Sequence, residues 1–121
     1  MYGRDLSSVI EKIAQILEDK GEVFALTNVA FMNNFKVSKK IKQKPVPLEL
    51  IIGDKKIGLM NYAQTLEEYK RAFMQANLTL EDEKYFEAVG LSVAPKYQYK
   101  NEINFKRGVF KLSKTNPEKC L

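Results

Sequence analysis

The segment from Phe35 to Met60 constrains the fold of this chain more than any other. Pro45 and Pro47 end any helix that precedes them, because proline lacks an amide hydrogen and forces the residue before it into extended backbone. Two apolar runs then flank Gly53-Asp54, a residue pair suited to tight two-residue turns. The segment therefore predicts extended backbone that enters a β-hairpin in the middle of the chain.

Three other segments have the features of helices. Apolar residues recur every three or four positions over residues 6–17, and Gly21 is suited to end that helix. Thr65, with a glutamate three positions later, forms a capping-box pattern before an apolar face over residues 66–76. A further short helix is predicted over residues 80–89. We therefore expect an N-terminal helix and a middle helical pair.

After Pro95 the pattern changes to alternation between apolar and polar residues, which is typical of strands. Asn101-Glu102 and Arg107-Gly108 are natural turn positions, so this region predicts a β-meander with a frayed tail over residues 113–121. The chain as a whole is expected to be one compact α+β domain over residues 1–121. Its antiparallel sheet, made of the central hairpin and the C-terminal meander, would pack against the N-terminal helix and the middle helical pair.

Residues 22–35 fit two structures. Their β-branched and aromatic content favours a buried strand, yet a helical apolar stripe can be drawn through Phe24, Thr27 and Phe31. In the helical alternative, this segment, the lysines after it and the hairpin resemble a winged helix-turn-helix domain. That resemblance implies a third helix around VSKKIKQ that enters a DNA groove and a wing that contacts the backbone.

Several kinds of chemistry are excluded by composition. The chain has no histidine and a single cysteine, Cys120, so it lacks histidine-dependent catalysis, histidine or thiolate zinc sites and any intrachain disulfide. Its scattered glycines form neither dinucleotide nor P-loop spacing. We expect no cofactor, no membrane span and a cytoplasmic location.

Two acidic patterns remain as enzyme or metal alternatives. Glu49 and the Asp54-Lys55-Lys56 run resemble, in residue type, the acid and acid-x-Lys pattern of restriction-type nucleases, which implies a magnesium-dependent phosphodiesterase. Four acids near the second middle helix could be metal ligands, although helix dipoles favour acids there. These acids are Glu81, Asp82, Glu83 and Glu87. We nevertheless predict a non-enzymatic protein, because Asp54 falls in the hairpin turn.

The net charge of +5 is concentrated in basic segments that suggest an anionic partner. Five lysines occur in nine residues without an acid, and phosphates are the anions that such a run attracts. The predicted phosphate-binding residues are Lys36, Lys39, Lys40, Lys42, Lys44, Lys55, Lys56, Lys106 and Arg107. Lysines outnumber arginines, which favours contact with the nucleic-acid backbone over reading of bases. The alternative function is a protein-protein interaction module, such as an inhibitor, an immunity-type protein or an adaptor, with no nucleic-acid role.

Aromatic residues of the predicted meander alternate with cations and have two interpretations. On an exposed sheet face they would stack single-stranded bases, whereas ordinary alternation places them in the core, which is the interpretation we favour. The residues are Tyr97, Tyr99, Phe105 and Phe110. Residues 106–112, KRGVFKL, resemble the first ribonucleoprotein motif of RNA-recognition domains, with valine at the position of a stacking aromatic.

Overall fold

The structure is a computed structural model that describes residues 6–18, 20–42 and 44–115. Within these residues lie three α-helices: Leu6–Ile16 (α1), Phe35–Ile41 (α2) and Leu66–Gln75 (α3). Six strands accompany them: Glu22–Met32 (β1), Pro45–Ile52 (β2), Lys55–Tyr62 (β3), Leu78–Glu87 (β4), Leu91–Val93 (β5) and Ile103–Lys114 (β6). No helix among the described residues is long and apolar enough to span a membrane.

The strands form two antiparallel sheets of three strands each. The first sheet has the order β1-β6-β4 and the second sheet has the order β3-β2-β5. Because β6 is the central strand of the first sheet, it hydrogen-bonds along most of its length to a neighbour on each side. The α+β class predicted from the sequence is confirmed, with two antiparallel sheets. The expectation of one compact domain over residues 1–121 stays a prediction.

The first hydrophobic core lies between the helices α1 and α3 and one face of the first sheet. Phe110 of β6 is fully buried at its centre, and its ring centroid is 5.4 Å from that of Phe73 and 5.8 Å from that of Tyr69. Leu6 and Ile10 of α1 complete this core. The N-terminal helix is therefore confirmed, and its buried stripe contacts the sheet as the periodicity predicted.

The second hydrophobic core lies on the opposite face of the first sheet, near the start of β6. Phe105 and Ala30 of the first sheet pack there with Val46 of β2. Val37 and Ile41 fix α2 to the same core. The central strand therefore contributes to both cores, because alternate residues of a strand point to opposite faces.

The ambiguous segment is a strand, as its composition favoured. Residues 22–32 form β1 and pair with β6 from Glu22 to Met32. The winged-helix alternative is therefore wrong, because its second helix would occupy these residues. The predicted hairpin is confirmed as β2 and β3, and Gly53 in its turn has φ of 63°. The lysine run contains a helix of only 7 residues, α2, and β2 begins at Pro45.

The prediction of a second helix in the middle pair is wrong. Residues 78–87 form β4, which pairs with β6, and a β-bulge between Leu80 and Asp82 interrupts the register. The local acid and capping signals favoured a helix, but Leu80 and Tyr85 pack against the first core only when the segment is extended. Tertiary packing overrides local propensity here. The first helix of the pair is confirmed as α3.

The predicted C-terminal meander is also wrong, because residues 103–114 form a single strand. The pair Arg107-Gly108 lies in the middle of β6 instead of in a turn. Gly108 is buried in this strand beside Val29. A Cβ atom at position 108 would lie 2.9 Å from Cγ2 of Val29, so the absence of a side chain makes room for Val29. The predicted frayed tail begins too early, since Ser113 and Lys114 belong to β6. Its residues 116–121 lie outside the described part of the chain.

A glycine substitution distinguishes a packed strand from a turn at Gly108. We expect Gly108→Ala to lower the free energy of unfolding by about 1–3 kcal/mol, because the added methyl group overpacks the first core. The measurement is urea denaturation followed by circular dichroism.

Gly58→Ala is the matched control in β3, where no atom lies within 4 Å of the added Cβ. Its free energy of unfolding should change by less than about 0.5 kcal/mol. Equal effects of the two substitutions would contradict the packing described for β6.

Candidate anion-binding surface

The helix α2 presents lysines to solvent on a short, well-fixed scaffold. The side chain of its N-cap residue Asn34 accepts a hydrogen bond of 2.9 Å from the backbone amide of Lys36. The apolar side of α2 is buried in the second core, so the lysines point outward. Lys36, Lys39 and Lys40 have helix-neighbour spacing, which separates their Cβ atoms by roughly 5–6 Å.

We define the lysine cluster as the basic residues on and immediately after α2. Its members are Lys36, Lys39, Lys40, Lys42 and Lys44. All five are exposed, and no carboxylate of the described chain lies within 4 Å of their ammonium groups. Lys39 lies over the ring of the exposed Phe35, with its Nζ 4.8 Å from the ring centroid. The cluster therefore has positive charge available for an external anion.

Two other predicted phosphate-binding lysines are already paired with acids. Nζ of Lys56 is 3.7 Å from Glu49, and Nζ of Lys106 is 3.8 Å from Glu87. A phosphate at either lysine would compete with a carboxylate. Lys55 lies at the exposed start of β3 and has no acid of the described chain within ion-pair distance.

Arg107 lies in a cleft that contains no other charged residue. The cleft has a volume of about 340 Å³ and lies between the end of the hairpin and the first sheet. It is lined by Leu26, Thr27, Asn28, Asn61, Tyr62, Gln64, Tyr69 and Arg107. We call this the polar cleft. Arg107 is exposed and has no ion pair with a described carboxylate, so its guanidinium is available to an anion that enters.

A hydrogen bond fixes one wall of the polar cleft. The hydroxyl oxygen of Tyr69 is 2.6 Å from Oγ1 of Thr27, and the same hydroxyl donates to the backbone carbonyl of Asn28 over 3.3 Å. Burial raises the pKa of Tyr69, so this hydroxyl stays protonated at neutral pH and keeps its donor. The bond joins α3 to β1 beneath the cleft.

A second cleft connects the polar cleft to the lysine cluster. Its volume is about 230 Å³, and its lining includes Lys42 and Arg71. Tyr62 and Gln64 line both clefts, so the two lie side by side. The one acid in this second cleft is Glu68, whose carboxylate accepts a hydrogen bond of 3.5 Å from the hydroxyl of Thr65. Cations therefore run from α2 past Arg71 to Arg107.

Arg71 was not among the predicted site residues. The sequence placed it only on the outer side of α3, and nothing local shows that this side borders residues of the hairpin. Lys42 and Arg71 are 29 positions apart in the chain. Only the packing of α3 beside the end of β3 brings them to one cleft.

The acidic residues considered for catalysis or metal binding are separated or paired. Glu49 has Lys56 as its ion-pair partner, and Asp54 lies in the exposed hairpin turn. In β4, Glu83 pairs with Lys70 over 3.5 Å. The strand directs neighbouring acids to opposite faces of the sheet. No group of three or more potential metal-ligating residues occurs among the residues that the structure describes.

The aromatics of the predicted meander belong to the cores, as the favoured interpretation stated. Phe105 and Phe110 are buried, and Tyr97 packs against the second core with its ring centroid 5.6 Å from that of Tyr99. The exposed phenylalanines of the first sheet are Phe24 and Phe86 instead. The prediction missed Phe86 because it assigned this residue to a helix.

Comparison of the chain with protein-family models, curated proteins and solved structures gave no match. The chemistry and placement of its own side chains are therefore the basis for the function proposed below.

The Tyr69 hydrogen bond makes a prediction about the stability of the cleft wall. We expect Tyr69→Phe to lower the free energy of unfolding by about 0.5–1.5 kcal/mol, because the substitution removes the donor and leaves Thr27 without this partner. Urea denaturation at neutral pH measures the change.

Tyr85→Phe is the matched control, since the hydroxyl of Tyr85 is buried without a hydrogen-bond partner among the described residues. Burial, then the charge of Glu83 and the approach of its carboxylate to this hydroxyl, raise the pKa of Tyr85 to about 12. Because no well-formed hydrogen bond holds this hydroxyl among the described residues, its removal should cost less stability than Tyr69→Phe. A larger loss for Tyr85→Phe than for Tyr69→Phe would contradict the assigned hydrogen bonds.

Proposed function

We propose that this protein is a non-enzymatic nucleic-acid-binding protein that holds phosphates through its lysine cluster. One observation carries the proposal: five lysines within nine residues of chain are exposed, and no acid lies among these nine residues. Of the predicted phosphate-binding lysines outside the cluster, Lys56 and Lys106 each have a carboxylate within 4 Å. The lysine cluster differs from them in having none among the described residues.

The spacing of these ammonium groups suits a polymer of phosphates better than a single small anion. Groups on one side of a short helix, followed by two more along the chain, offer several separate contacts instead of one enclosed site. Each contact that neutralises a phosphate releases a condensed counterion, which makes the affinity depend on salt. Lysine is a flexible point charge, so such contacts tolerate any base sequence.

The two clefts extend the proposed surface beyond α2. Arg107 lines the polar cleft, whereas Lys42 and Arg71 line the second cleft beside it. Tyr62 and Gln64 line both clefts. A phosphate backbone that follows these cations would pass from the lysine cluster to the first sheet. The arginines are the two described residues on this path whose planar guanidinium groups can hold a phosphate with two hydrogen bonds.

The proposal predicts the effect of removing charge from α2. The triple variant Lys36→Gln, Lys39→Gln, Lys40→Gln should bind oligonucleotides roughly tenfold to a hundredfold more weakly at moderate salt. The slope of log affinity against log salt should become shallower by about 2 for a single strand. Fluorescence anisotropy with labelled oligonucleotides of two unrelated sequences, over a series of salt concentrations, measures both.

The matched control removes three lysines that are already paired with carboxylates. Lys56→Gln, Lys70→Gln, Lys106→Gln changes the net charge by the same amount, but each lysine has an acid partner. We expect a clearly smaller loss of affinity and little change in slope. Equal losses for both triple variants would show that net charge alone determines binding, and unchanged binding by the α2 variant would end the proposal.

A protein-binding module is the second candidate, and the β2–β3 hairpin is the observation that favours it. Ile52 and Met60 of this hairpin are 58% and 63% exposed, and Ile57 and Leu59 are 40% exposed. Among the described strands, β3 pairs with β2 alone, so its other edge is open within this part of the chain. Exposed apolar side chains beside an open edge are suited to a protein partner.

Capture from the native host with intact protein and with an Ile57→Lys, Leu59→Lys variant tests this second candidate. A stoichiometric complex that survives high salt and is lost in the variant would favour it over nucleic-acid binding, because phosphate contacts weaken in salt and apolar contacts do not. Absence of such a complex, together with salt-sensitive binding of oligonucleotides, would favour the first function.

A further inference from the structure

The described residues cover one face of the first sheet only in part. The helices α1 and α3 pack on the side that carries Val29, Phe110 and Leu112. The second core covers the other side only near Ala30 and Phe105. Beyond this region lies the uncovered side, which we call the open face. The strand register places there the apolar and basic residues Phe24, Leu26, Lys84, Phe86, Arg107, Val109 and Lys111, together with the acids Glu22 and Asp82.

The open face exposes large apolar side chains. Phe24 is 67% exposed, Leu26 is 65% exposed and Phe86 is 54% exposed. Isolated apolar residues on a surface need no explanation, but these lie on the two outer strands of one sheet face, with the partly buried Val109 of the central strand between them. Such a patch marks a surface that contacts something apolar and flat.

Cations are interleaved with these apolar residues in a regular way. Phe24 is opposite Lys111 in the register, and Arg107 is opposite Phe86. Lys84 is opposite Val109 in the row between them. Each phenylalanine therefore has a cation as its neighbour on the central or adjacent strand.

The positive charge of the open face is available mainly at one end. Lys111 is paired with Glu22 over 3.4 Å, and Asp82 lies opposite Lys111 in the register. Arg107 and Lys84 have no ion pair with a described carboxylate. The unpaired cations therefore lie beside Phe86, next to the polar cleft that Arg107 also lines.

The distance between the two phenylalanines suits two unpaired bases of one strand that are not immediate neighbours. They lie on the outer strands of the sheet, about 10 Å apart across the strands and about 13 Å along them, which gives roughly 16 Å on the diagonal. A single strand that crosses this diagonal spans the gap with one or two intervening nucleotides. A duplex offers no free base faces to the rings, because its bases are already stacked on each other.

From these observations we propose that the open face binds single-stranded nucleic acid, with unpaired bases stacked on Phe24 and Phe86 and phosphates held by Arg107 and Lys84. This inference rests on the proposed function and names its ligand class. A single strand matches both features of the face, since each base has an apolar π surface and each linkage carries a negative charge. The path of cations from the lysine cluster also ends here, at Arg107.

A second copy of this chain fits the open face less well. Two copies packed through this face would bury Arg107 and Lys84 of both, and neither cation has an ion-pair partner among the described residues of its own chain. The acids of this face, Glu22 and Asp82, lie at its other end beside Lys111. Burial of unpaired charges is strongly unfavourable. A polyanion removes this difficulty because it supplies the missing negative charges.

The first test compares three probes of equal length in anisotropy titrations: an oligothymidylate, a strand with abasic sites in place of thymines, and a mixed-sequence duplex. We expect the oligothymidylate to bind at least tenfold more tightly than the abasic strand, since only it offers bases to stack. Phe24→Ala with Phe86→Ala should remove most of this preference and leave the affinity for the abasic strand unchanged. Both residues are exposed, and denaturation curves verify that the variant folds.

Phe35→Ala is the matched control, because Phe35 is an equally exposed phenylalanine on α2, outside the open face. The Phe35→Ala variant should prefer the oligothymidylate over the abasic strand as strongly as the unaltered protein does. A loss of preference in Phe35→Ala, with none in the open-face variant, would assign stacking to α2 and overturn the inference.

Phe86→Trp provides a direct spectroscopic readout, since the chain contains no tryptophan. Stacking of a thymine on the indole should quench its fluorescence, and the abasic strand should leave it unchanged. Equal binding of thymine and abasic strands without quenching would overturn the stacking inference while the proposed phosphate binding stands. Failure of all three probes to bind at low salt would overturn both.

Discussion

The central position of β6 is the constraint on which the rest of the structure depends. Its residues 103–113 pair with β1 on one side, and its residues 106–114 pair with β4 on the other. Phe110 and Leu112 project into the first core, and Ile103 and Phe105 project into the second. The alternation of one strand therefore joins the two cores, and any shift of its register by one residue would exchange buried and exposed side chains in both.

The elements that the sequence predicted correctly are those whose signals are local. The hairpin turn at Gly53, the capping box at Thr65 and the apolar stripe of α1 need no distant partner to be recognised. The errors occurred in β4 and β6, where distant pairing decides the structure. Gly108 shows the difficulty, because a glycine beside an arginine looks like a turn, whereas here it admits the side chain of Val29.

The residues of the candidate site also fall into those that local sequence reveals and those that depend on distant contacts. The lysine cluster could be located from the sequence, because its five lysines lie within nine residues of chain that contain no acid. Which lysines are neutralised could not, since the partner of Lys106 is Glu87, and these residues meet only after β4 is recognised as a strand. Arg71 and Phe86 were missed for the same physical reason, because their neighbours on the surface are supplied by other parts of the fold.

The open face is a geometric consequence of unequal layers in this fold. The first sheet has strands of 10 to 12 residues, whereas β5 of the second sheet has 3 residues and covers little of the area above it. A sheet left uncovered usually carries polar side chains on its solvent side. Here Phe24, Leu26 and Phe86 are exposed with cations between them, an arrangement that raises the cost of self-association without removing the apolar surface. An anionic partner with flat apolar groups would match both features, which is the physical reason for proposing a single strand as the ligand of the open face.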